Sequence, residues 1–75
     1  MSYTENRNAK RAVRLMAVRD ALYREPLTVQ QLAMQFGVSD DAIRGDLVDL
    51  QIPPLSVPLL VDNQGRWYVM DVVYG

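Results

Sequence analysis

The sequence predicts a mostly α, α+β fold: three helices followed by a C-terminal β-hairpin. Three observations predict it. Apolar residues recur at steps of three and four through three successive segments. The second and third of these segments each open on a hydroxyl residue suited to cap a helix. The C-terminal third then switches to short apolar runs around a polar tetrapeptide that ends in glycine.

The first helix is expected from about Glu5 to Arg24, with Ala12, Leu15, Val18 and Leu22 as its apolar stripe. Pro26 ends it, because the residue before a proline is pushed out of helical geometry. Residues 1–6 are expected as a flexible arm of a single domain spanning 1–75. Thr28-Val29-Gln30-Gln31 matches a capping box, a threonine cap with glutamine three residues on. The short helix it opens directs Leu32, Ala33 and Phe36 inward and closes at Gly37, where glycine takes the left-handed conformation at little cost. Val38 plugs the turn. Ser39 caps the third helix, and Asp40 and Asp41 in its first turn complement the positive end of the helix dipole. Ile43, Leu47 and Leu50 form its buried stripe, and Pro53 and Pro54 lie just past its end.

Leu59-Leu60-Val61 and Trp67-Tyr68-Val69-Met70 flank Asp62-Asn63-Gln64-Gly65, which reads as a hairpin tip. Pro58 keeps the first run out of a central strand. One of Trp67 and Tyr68 faces the core, since strand neighbours alternate. Helix, helix, turn, helix, hairpin is the order of a winged helix-turn-helix.

With 75 residues there is room for one such domain and a thin core. The chain has no cysteine and no histidine, so a disulfide scaffold, a thiolate zinc site and the usual general base are all absent. No catalytic residue, metal ligand or cofactor is expected. Asp40, Asp41, Asp46 and Asp49 suggest an oxygen-ligand site, but helix capping and a solvated face account for them more simply. No apolar run approaches the roughly 18 residues needed to span a bilayer. The N-terminus has no signal-like apolar stretch, so a cytoplasmic protein is expected.

Charge is divided unevenly along the chain. Through Arg24, six basic residues stand against two acids, whereas from Glu25 onward two arginines face seven acids. The basic first segment suits an acidic partner such as nucleic acid; the alternative is a solvated helix face.

Arg14-Leu15, Val18, Leu22, Leu27-Thr28 and Gln31-Leu32-Ala33, then Phe36-Gly37-Val38-Ser39, Ile43-Arg44, Asp46-Leu47 and Leu50 form a connected pattern. From Arg14 to Leu50 the chain resembles the DeoR-type helix-turn-helix and the N-terminal domains of WYL-type bacterial regulators. The resemblance covers about half the chain and implies a winged-helix, repressor-like transcriptional regulator that binds double-stranded DNA. Two positions depart from the family's recognition helix: Ala42 replaces a threonine and Gly45 replaces an arginine.

Arg44 is the expected base reader, with Thr28, Gln30 and Ser39 on phosphates and Lys10, Arg11, Arg14 and Arg66 as further backbone contacts. Asp41, Gly45 and Val48 are expected on the outward face, with Ala42 and Asp49 on one flank and Arg44 on the other. A packing reason for Gly45 would be close approach of another backbone. A second function fits the same fold: a protein-interaction domain docking through Ala42, Gly45 and Val48. A homodimer is a further expected partner, because DNA sites often come as two half-sites a helical turn apart. No effector domain is expected after the wing.

Overall fold

The computed structural model describes the backbone from Tyr3 to Gly75 and the side chains from Ala9 onward. Three helices, α1 (Tyr3–Arg24), α2 (Val29–Phe36) and α3 (Asp40–Gln51), pack on a small antiparallel sheet. Its strands are β1 (Leu27–Thr28), β2 (Leu59–Val61) and β3 (Arg66–Val69), in the order β1-β3-β2. This is the winged-helix layout, mostly α with a C-terminal hairpin. Met1 and Ser2 of the expected arm lie outside the described residues, and residues 3–6 form the first turn of α1.

The core is built from every element. Val18, Ala21 and Leu22 of α1 meet Leu32 and Ala33 of α2, Ile43, Leu47 and Leu50 of α3, and Leu27, Leu59 and Val69 of the sheet. Val57, from the proline-rich connection after α3, completes it. Ala12 was expected in the α1 stripe but is exposed, as are all described side chains of α1 before Arg14. The reason is length. A 22-residue helix runs about 33 Å, at 1.5 Å per residue, and so extends past a body whose shorter dimensions are 25 and 19 Å.

The caps form as the sequence implies. Thr28 Oγ1 accepts from Gln31 N at 3.0 Å, and Gln31 Oε1 accepts from Thr28 N at 2.9 Å, which closes the capping box. Gly37 is left-handed at φ 66°, ψ 37°, and Val38 N donates to Ala33 O at 3.1 Å. Ser39 Oγ accepts from Ala42 N at 3.1 Å.

The two-residue strand β1 was not anticipated. Leu27 pairs with Trp67 and Thr28 with Arg66, so β3 is central and β2 is the outer strand next to Pro58. Trp67 is the inward aromatic: it lies two residues from buried Val69, on the same strand face, and packs half-buried against the core.

Candidate nucleic-acid interface

The helix-turn-helix presents α3 along one side of the molecule. Ile43, Asp46, Leu47 and Leu50 are buried, at steps of three, one and three. The face left in solvent runs Asp41, Arg44, Val48 and Gln51. Ala42, Gly45 and Asp49 form a half-buried stripe beside it. Arg44 therefore stands on the free face rather than at its flank, with its side chain 61% exposed. The expected docking face of Ala42, Gly45 and Val48 is split, with Val48 on the free face and the two smaller residues beside it.

The physical cause is Asp46. The sequence reading grouped it with the capping and solvated aspartates, yet it is fully enclosed and receives Arg14 Nε at 2.7 Å and Nη2 at 3.0 Å. One turn along, Arg11 Nη2 bonds Asp49 Oδ2. These two rungs join α1 to α3 in antiparallel register. They draw the Asp46–Asp49 side of α3 toward α1 and leave Arg44 free. The Asp46 bond, more than charge attraction, holds the Arg14 guanidinium above its ordinary pKa, against the opposing effect of burial.

The other expected contacts are dispersed around α3. Ser39 is exposed at its N-terminus, and Thr28 and Gln30 sit at the start of α2. Both hydroxyls accept from a backbone N–H, which leaves their own hydrogens available to donate to a phosphate oxygen. Lys10 and Arg11 are exposed on the extended half of α1. Arg66 opens β3 at the wing, where its Nε donates to Asp62 Oδ2 at 2.8 Å.

Asp62 organises the wing tip. Its Oδ1 accepts from Gln64 N at 2.8 Å and Arg66 N at 2.9 Å, and Gly65 takes φ 78° to complete the turn. The Arg66 backbone bond, followed by the Arg66 side chain and the Gln64 amide, holds this carboxyl below its usual range.

Gly45 has no close neighbour to explain it. A Cβ built there meets, beyond its own stretch of α3, no atom of the described residues within 4 Å, so no other described segment of backbone closely approaches it. Two residues outside the expected site also proved structural. Tyr74 Oη accepts from Val69 N at 2.9 Å and donates to Leu22 O, tying the C-terminus to α1 and the sheet. Asp46 was legible in principle, since Ile43, Asp46, Leu47 and Leu50 make an unbroken helical stripe, and a carboxylate in that slot calls for a basic partner.

Among the described residues no three His, Cys, Asp or Glu side chains gather where a metal ion could be held. No helix among them is long and apolar enough to cross a membrane. Fold and geometry together give a winged-helix layout in which one face of α3 lies in solvent. Compared with protein-family models, curated proteins and solved structures, the chain matches none.

Proposed function

We propose that this protein binds double-stranded DNA through α3 and acts as a small transcriptional regulator of the DeoR or WYL-regulator type, in the cytoplasm. The observation that carries the reading is Arg44, exposed on the free face of a capped third helix within a helix-turn-helix. That helix is the element which enters the major groove in this motif.

All four arginines expected to meet DNA carry a carboxylate of their own chain: Arg11, Arg14, Arg44 and Arg66. Exposed ion pairs are worth about 0–1 kcal/mol, so Arg11 and Arg66 exchange an aspartate for a phosphate at low cost, and Arg44 has guanidinium N–H groups left over beside its Asp41 bond. Arg14 differs. Its partner is enclosed, so it belongs to the fold and positions α3. Lys10, Arg11, Ser39, Thr28, Gln30 and Arg66 then supply backbone contacts around Arg44.

One observation favours a second reading, a protein-interaction domain or homodimer. Val48 is 58% exposed and Ile52, just past the end of α3, is 49% exposed, and the arginines nearby are already neutralised. Duplex binding at ~50 mM and at higher salt separates the two, because phosphate contacts weaken steeply with salt. The DNA reading expects binding that weakens with salt, is impaired by Arg44→Ala, and is tightened by Gly45→Arg, which adds a donor where there is room. Absence of duplex binding by the parent at low salt, together with a protein complex lost in Gly45→Arg, decides for the interaction domain.

A further inference from the structure

We infer that Asp41 is a specificity-determining residue of α3: it holds Arg44 in position to read a guanine and weakens binding to other duplex sequence. The inference rests on the DNA-binding reading and deepens it by naming the base that is read.

It begins from an ion pair that lies entirely on the free face of α3. Arg44 Nη1 donates to Asp41 Oδ1 at 2.9 Å, and the two residues stand three apart, about one helical turn. The Asp41 side chain is 92% exposed, so the pair contributes nothing to the core and faces whatever α3 meets.

The atoms left over define what the pair can read. With Nη1 on Asp41, the guanidinium keeps Nη2 and Nε as two parallel donors along one edge. Two parallel donors match O6 and N7 of guanine in the major groove, whereas adenine places a donor of its own at one of those positions. Arginine also loses much rotamer freedom on binding, and an anchor at Nη1 removes part of that freedom beforehand.

Asp41 also acts by repulsion. Its carboxylate faces the phosphate-lined groove, where negative charge lowers affinity for every sequence. Only a base edge with an amino donor, such as cytosine N4, compensates for it. The side chain that steadies Arg44 thus penalises registers in which Arg44 misses its guanine. Specificity is a difference of affinities, and a repulsive group creates it as effectively as an attractive one.

The test uses the full chain and a pool of duplexes with random cores, selected on the parent at low salt. Binding is then measured on the enriched duplex and on its single-base variants. The parent should require a guanine whose replacement weakens binding roughly tenfold or more, a dependence that Arg44→Ala removes. Asp41→Ala should bind random duplex several-fold more tightly and lose most of that guanine preference. Asp41→Glu, which keeps the carboxylate, should restore much of it. If Asp41→Ala alters overall affinity and leaves base preference intact, Asp41 is only a helix-end charge; the inference falls and the DNA reading stands. A guanine preference that survives Arg44→Ala also overturns it. If the parent binds no duplex at low salt, both fall together.

Discussion

The carboxylate of Asp46 is fully enclosed and takes two parallel bonds from Arg14, at 2.7 and 3.0 Å, across the α1–α3 contact. The pair is asymmetric, because Arg14 keeps 26% of its side chain in solvent and Asp46 keeps none. A buried charge that loses its partner costs several kcal/mol, whereas a partly exposed guanidinium recovers water.

Removing either partner should therefore have unequal effects. Arg14→Ala should destabilise the domain by about 3–5 kcal/mol, since it strands the Asp46 charge. Asp46→Ala should cost less, because Arg14 can swing outward. Urea denaturation of the two variants checks the order. Equal midpoints would show that Asp46 reaches water in solution.

Gly45 lies mid-helix with open space around it. Gly45→Ala should stabilise the domain by roughly 1 kcal/mol through helix propensity alone. For a domain of this size that corresponds to about 4–8 °C in melting temperature. A lower melting temperature would mean that some second chain occupies the space beside Gly45.

Tyr74→Phe removes one oxygen and keeps the ring. Val69 N, in the central strand, then loses the acceptor Tyr74 supplies, and Leu22 O loses a donor. The expected cost is about 1–3 kcal/mol, the penalty for a buried polar group left without a partner. Hydrogen exchange gives the local readout: the Val69 amide should lose protection more than the Leu47 amide does.

Asp62 makes the wing tip sensitive to acid. Its carboxyl titrates below the usual carboxylate range in the folded state, so it binds fewer protons there than in the unfolded chain. Its contribution is complete above the unfolded value and is lost as pH falls through the depressed folded one. The amide resonances of Gln64 and Arg66 should report that titration, and Asp62→Asn should abolish it. An Asp62 carboxyl that titrates at its ordinary value would remove the tip network from the account.

What the sequence determined by itself was local. Thr28 with Gln31, Gly37, and Ser39 with its two aspartates specify where α2 and α3 start and where α2 stops, because caps satisfy backbone groups within a few residues. The Ile43, Leu47, Leu50 stripe and the Asp62–Gly65 tip were legible for the same reason: helix and strand periods are short-range. Tertiary structure alone decided the rest. β1 is two residues long, too short for any period, and exists because β3 is available to pair with Leu27 and Thr28. The stripe marks Asp46 for burial, but only the tertiary structure supplies its partner, Arg14, 32 residues away in the chain. Tyr74 meets Leu22 across 52 residues. The apolar stripe sets the core side of α3, and the long-range ion pair turns its Asp46–Asp49 side toward α1 and leaves Arg44 on the free face, because a buried carboxylate needs a cation beside it.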